Sequence, residues 1–197
     1  MIALSKLFFI YSMNYDRAVY EIHSFVYELY GEICSENSTP DSILEKIQQK
    51  TKEFSESGEL YKSFISEKLG GQIYYSATKR NLMGLLAAYF TERKGGGLEG
   101  KLFDTAFDIE HIHATADDTK EVSEDLQNCI GNLMLLERSI NRSLGKKKFT
   151  EKKKQYRNSS YKFARELAET TQYKWSEKDI IARRDEIVAQ AIKFLFQ

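Results

Sequence analysis

Proline is almost missing from this chain of 197 residues; the only one is Pro40. Because proline fixes φ and removes a backbone donor, its scarcity favours long uninterrupted helices. Cysteine is nearly as rare. Cys34 and Cys129 lie far apart with no CxxC pair, which excludes a four-cysteine zinc site and argues against a disulfide scaffold. Both are expected to be small buried hydrophobes in a reducing compartment. Net charge is absent as well: 29 basic and 29 acidic residues cancel. The overall balance therefore points to no polyanionic partner, and any such signal must lie in how the charges are distributed. Long apolar runs are missing too. The apolar start, Met1 to Met13, contains Lys6 and gives way to Asn14, well short of the roughly 18 residues that a membrane span needs. Amphipathic helix-like sequence continues past residue 30 with no cleavage-type end, so no signal peptide and no membrane association are expected, and the protein is read as cytoplasmic.

What is present suits a folded protein. The 42% of apolar and 13% of aromatic residues suffice for one ample core, or for a small domain with a helical extension. From Leu4 to Ile33 apolar residues recur at helical spacing (Leu7, Ile10, Tyr11, Tyr15, Ala18, Val19, Ile22, Phe25, Val26, Leu29), which predicts one or two helices with a broad buried stripe. Residues 36–40 read as a loop, with Thr39 or Asp41 capping a helix to about Ser57. Further helices are predicted over about 59–69, stopped by Gly70-Gly71, and over about 76–93, stopped by Gly95-Gly96-Gly97.

Beyond that glycine break the texture changes. Ala106 to His113 is a short strand candidate, followed by an acidic loop or short helix over about 115–127. Asn132 to Leu136 reads as a second strand, Glu137 to Leu144 as a helix. Two or three more helices are predicted over about 150–159, 161–170 and 176–196, the last opened by the capping pair Ser176 and Asp179. The expected architecture is mainly α: a helical N-terminal region (1–97), then a domain (98–197) with a two-stranded antiparallel element set among C-terminal helices.

Four polar residues stand out by type and spacing: Glu110 and His111 side by side, then Asn132 and Asn141 nine positions apart. Singly each has an ordinary reading. His111 is a hydrogen-bonded structural histidine, Glu110 a surface carboxylate, Asn132 a turn residue and Asn141 a helix cap. His113 reads as a solvated loop residue. Together they sit in an ordered pattern: Asp108-Ile109-Glu110-His111-Ile112, then Ile130-Gly131-Asn132-Leu133-Met134-Leu135-Leu136, then Ser139-Ile140-Asn141-Arg142.

That pattern resembles the HNH, or His-Me finger, nucleases, and within them the C-terminal nuclease domain of GmrSD-type restriction enzymes, which cut modified DNA. The tail is similar as well: Asn141 to Gly145, Lys148-Phe149, Lys152-Lys153, Tyr156 and Asn158-Ser159. The resemblance spans about residues 76–196. It implies a small ββα-metal (HNH) unit and a metal-dependent DNA endonuclease acting in restriction or anti-phage defence. In that unit His111 is the general base, Glu110 and Asn141 hold one magnesium (or manganese) ion, and Asn132 ties down the loop bearing His111. Asp108, which shares a strand face with Glu110, is a possible auxiliary metal ligand. Where the family carries proline two residues past the isoleucine, this chain has Ala114.

The chemistry of these residue types is consistent with that. Hydrolysis of a phosphodiester needs a base for the water proton and a cation to neutralise developing charge. A neutral imidazole, titrating near about 6.5, can be that base, and a carboxylate with an amide oxygen suits magnesium. In an extended strand Glu110 and His111 face opposite sides, so ligand and base can approach a phosphate from two directions.

Charge distribution adds a nucleic-acid signal. Between Glu137 and Arg157 nine Lys or Arg face two acids, while seven acids lie between Asp108 and Asp125. Within that run Arg142, Lys146, Lys147, Lys148, Lys152 and Lys153 are candidate DNA-backbone contacts; the alternative is an ordinary solvated helix face. No phosphate-binding glycine loop occurs, so the ParB-like nucleotide-binding part that the resemblance implies is expected on a separate domain or subunit. A competing reading of the whole is a catalytically inactive HNH scaffold that binds nucleic acid or protein.

Overall fold

The computed structural model describes residues 2–13, 19–54, 67, 69–70, 87–90, 106–114 and 121–196. Most of the helices expected over 59–69 and 76–93, the glycine break at 95–97 and the acidic residues 115–120 lie outside the described residues. The chain divides into two compact units, residues 1–65 with 192–197, and residues 66–191.

The first unit contains helices α1 (Ile2–Met13), α2 (Val19–Ile33) and α3 (Pro40–Phe54). Of the stripe read from the sequence, Leu7 and Ile10 of α1 and Ile22, Phe25 and Leu29 of α2 are buried, as is Ile47 of α3, whereas Val26 is exposed. Helix α3 starts at the chain's one proline, where the missing N–H costs nothing. Thr39 caps it, accepting from Ser42 N at 3.1 Å while its own N–H donates to Ser42 Oγ at 3.2 Å. Cys34, just past α2, is exposed rather than buried, and only Cys129 fits the expectation of a buried thiol.

In the second unit two strands, β1 (Phe107–His111) and β2 (Leu133–Glu137), pair antiparallel in the register Phe107↔Glu137 to His111↔Leu133. Leu133 to Leu136 are all buried, whereas of β1 only Glu110 is. The unbroken apolar run of β2 is thus an inner strand covered on both sides, with β1 outside it. Between the strands come a short helix α4 (Glu124–Gln127) and a 3-10 turn over Ile130–Asn132. After β2 follow α5 (Arg138–Leu144), α6 (Phe149–Tyr156), α7 (Lys162–Glu169) and α8 (Glu177–Phe196), of which the residues from 192 on are counted with the first unit. Helix α5 packs on both strands, and α6 packs on α5 and α7. The cap expected for the last helix forms: Ser176 N donates to Asp179 Oδ2 at 2.8 Å.

Helix α8 explains why the turn before β2 contains glycine. A Cβ on Gly131 would lie 2.0 Å from the carbonyl oxygen of Ile180, so only glycine lets the turn rest on the helix backbone. From the same helix the buried Arg183 donates one guanidinium nitrogen to the carbonyls of Ile130 (3.2 Å), Gly131 (3.0 Å) and Leu133 (2.8 Å), and its guanidinium stacks 4.2 Å from the Phe163 ring centroid. Arginine thereby ties the turn and the first residue of β2 to α8 through their backbone carbonyls. Among the described residues no helix is long and apolar enough to cross a membrane.

Candidate active site

Strand period places Asp108 and Glu110 on one face of β1, Ile109 and His111 on the other. The contacts follow that division. His111 Nε2 lies 2.9 Å from Asn128 Oδ1, in the turn after α4. Glu110 faces α6, where its Oε1 accepts from Lys152 Nζ at 2.7 Å and from the Tyr156 hydroxyl at 2.8 Å. All three of these side chains are buried. Burial pushes the Glu110 carboxyl above the usual glutamate range, and the ammonium and phenol beside it offset only part of that push. Burial, and then the Glu110 charge, raise Tyr156 far above the ordinary phenol value, so it stays a donor.

Asn132 has no exposed surface. Its Oδ1 accepts from His113 N at 2.8 Å, and its Nδ2 donates to the carbonyls of His113 (3.1 Å) and Gln127 (2.7 Å). One side chain thus clamps both peptide groups of the residue two beyond His111 and ties them to the end of α4. His113 is buried, not a solvated loop residue. The main chain adds a bond from Ile112 N to Asn132 O at 2.9 Å, continuing the pairing past the end of β1. Asn141 is the fourth residue of α5, in the middle of the helix rather than at its cap, and half-buried. It lies one turn from Arg138 on a helix that packs against β1.

Asp108 meets cations of the protein itself: Arg138 Nε at 3.0 Å and, more loosely, Arg142 Nε at 4.0 Å. Of the basic run, Arg142, Lys146, Lys147 and Lys148 are exposed. Lys152 corrects the expectation that it faces DNA. Only 1% of it is exposed, and its ammonium is committed to Glu110 and to the carbonyls of His111 (2.6 Å) and Ile112 (3.4 Å). Lys153 is half-buried and donates to the carbonyls of Thr170 and Gln172, at the end of α7, so its charge is also turned inward.

Among the described residues no three His, Cys, Asp or Glu side chains converge as a metal cluster. Glu110, with both of its side-chain donors on Oε1, and Asn141 come from β1 and from a helix that packs against it. One carboxylate plus a neutral oxygen is the sparse, hard set that magnesium or manganese accepts while keeping several waters. Cys129 is no nucleophile, since burial pushes its thiol up.

Sequence reasoning placed Lys152 on the DNA-facing surface rather than in the core of the site, and it assigned no role to Tyr156, Asn128 or Arg183. The tail pattern contains Lys152 and Tyr156, and their spacing of four is the signal that both point from one face of α6. Nothing in the sequence marks Asn128 apart from any other loop asparagine.

Fold and site together define a mainly helical domain whose polar centre is built around a two-stranded antiparallel sheet. The chain belongs to the family described as GmrSD restriction endonucleases, C-terminal domain, whose match covers residues 60–190. That span nearly coincides with the second compact unit. A search of curated proteins and a search of solved structures each found no match.

Proposed function

We propose that the second unit is an HNH-type, metal-dependent DNA endonuclease serving restriction or anti-phage defence in the cytoplasm. The observation that carries this reading is the order of delivery. Glu110 and His111 come from one strand, Asn132 from the turn that locks the segment after them, and Asn141 from the helix following the second strand, all inside the matched span.

In this reading His111 takes the proton of the attacking water. In the tautomer in which Nε2–H donates to Asn128 Oδ1, Nδ1 is the nitrogen that would take the proton. Glu110 and Asn141 would hold a magnesium or manganese ion. When bound, that ion supplies positive charge at the phosphate and the departing oxygen. Arg142, Lys146, Lys147 and Lys148 hold the DNA backbone beside the site. A ParB-like nucleotide-binding part would sit on a separate domain or subunit.

One observation favours the competing reading of an inactive scaffold: the Lys152 ammonium already rests on the carboxylate that would meet the cation. A plasmid-nicking assay with magnesium or manganese, repeated with a chelator, decides between them. Cleavage that depends on the cation and stops with chelator is the expected result. DNA that is bound but not cut under any of these conditions would assign the protein to the inactive class.

A further inference from the structure

We infer that Lys152, assisted by Tyr156, is a positioning residue for the Glu110–His111 pair, an assignment that rests on the nuclease reading above. The ammonium of Lys152 reaches three consecutive residues of the chain: the side chain of Glu110 at 2.7 Å, the carbonyl of His111 at 2.6 Å and the carbonyl of Ile112 at 3.4 Å. An ammonium has three donors, and here each has an acceptor. The strand ladder ends at His111↔Leu133, so Lys152 extends the restraint onto the Ile112 carbonyl just beyond the ladder's last pair.

Burying an ammonium is costly, and a buried ion pair is often no more stabilising than an apolar pair of the same volume. The chain nevertheless places one at the proposed site, from a residue 42 positions away. What the pair supplies is direction. Lys152 and Tyr156, one turn apart on α6, both donate to Oε1 of Glu110. Two side-chain donors on Oε1, with the His111 backbone also bonded to the carboxylate, restrain its orientation, and neither side-chain donor occupies Oε2. The contact to the His111 carbonyl fixes the backbone from which the imidazole projects, while Asn128 sets the ring from the other side. Groups that orient a ligand in this way typically matter by about 10–100-fold in metal affinity or activity.

The test uses the full chain with Lys152→Met, which keeps the length of the side chain and removes its donors, and Tyr156→Phe, which removes one hydroxyl. The chain has three histidines, His23, His111 and His113, so the ring Cε1–H resonance of His111 can be assigned with one His111→Ala spectrum. In metal-free Lys152→Met that resonance is expected to move, while a cooperative urea transition followed by the fluorescence of Trp175, buried in the second unit, reports that this unit is folded. Manganese affinity, read by the loss of the free-ion electron paramagnetic resonance signal, should fall about 10–100-fold, and single-turnover plasmid cleavage by a similar factor. Tyr156→Phe should move the same readings less, and it carries the test alone if Lys152→Met does not fold. An unmoved His111 resonance with unchanged manganese affinity in the folded variants overturns the assignment. Tighter manganese binding by Lys152→Met also overturns it, because the ammonium would then be standing in for the cation. If the unaltered protein cuts no DNA while the His111 and manganese readings move as expected, the nuclease reading fails and the positioning role stands.

Discussion

At the scale of single residues, the proposed division of labour between base and ligands makes their losses separable. His111→Ala removes the proton acceptor and leaves Glu110 and Asn141 in place, so DNA binding should survive while single-turnover cleavage drops about 10²–10⁴-fold. Asn141→Ala should instead raise the magnesium concentration needed and be partly rescued by more of it. Glu110→Ala should be more severe, because it removes a charge as well as a ligand and leaves Lys152 buried without its carboxylate. A magnesium series under single-turnover conditions checks all three; His111→Ala cutting at the unaltered rate would remove His111 from the role of base. The types and order of these residues were legible in the sequence. Their contacts were not. Lys152 sits in a basic run that reads as solvated surface, and its carboxylate partner lies 42 residues earlier, a separation at which no local pattern speaks. Cys34 shows the same limit: its type favours burial, but it falls just past the end of α2 and is exposed.

At the scale of elements, helix periodicity carried most of the fold, because the stripe at Ile22, Phe25 and Leu29 and the caps at Thr39 and Ser176 are local physics. The two strands were legible for another reason: an apolar run too short for a helix follows the glycine-containing turn, and a polar–apolar alternation precedes it. How neighbouring elements are tied was not legible, and Glu137 is the clearest instance. At the junction of β2 and α5 it accepts from Ser159 Oγ at 2.8 Å and from Ser160 N at 2.6 Å, joining that junction to the chain between α6 and α7. Burial on its own would raise this carboxyl; the Ser160 hydroxyl and N–H, its own N–H and the Ser159 hydroxyl together hold it below the ordinary glutamate value. A folded pKa below the unfolded one means that the contribution to stability is complete above the unfolded value, about 4.3, and is lost as pH falls through the folded value. Glu137→Gln should therefore lower the urea midpoint at neutral pH, and the gap to the unaltered protein should close as the solution is acidified through that window. A gap that stays constant from about pH 7 to pH 3 would show that the carboxylate's charge does nothing at this junction.

At the scale of the whole molecule, zero net charge conceals a sorted surface. Of the run after β2, Lys152 and Lys153 turn inward, whereas Arg142 near the end of α5 and Lys146, Lys147 and Lys148 before α6 are exposed. Lys147 also caps α5, its ammonium donating to Ser143 O at 2.7 Å, so part of its role is local. If the other charges of this stretch meet phosphates, they act through counterion release, which is insensitive to sequence and steep in salt. Each lost contact with duplex DNA should then reduce the slope of log affinity against log salt by about 0.9, so changing Lys146, Lys147 and Lys148 together to alanine should flatten it by up to about 2.7. The loss should be alike for unrelated duplex sequences, since phosphate contacts position the protein without reading bases. Lys152→Met is the built-in control: a lysine of the same run whose charge never reaches solvent should leave the slope where it was. Fluorescence anisotropy of a labelled duplex across a salt series, with chelator present to prevent cutting, supplies both numbers. A slope that ignores the triple change would make the stretch an ordinary solvated face, and one that responds to Lys152 would contradict its burial.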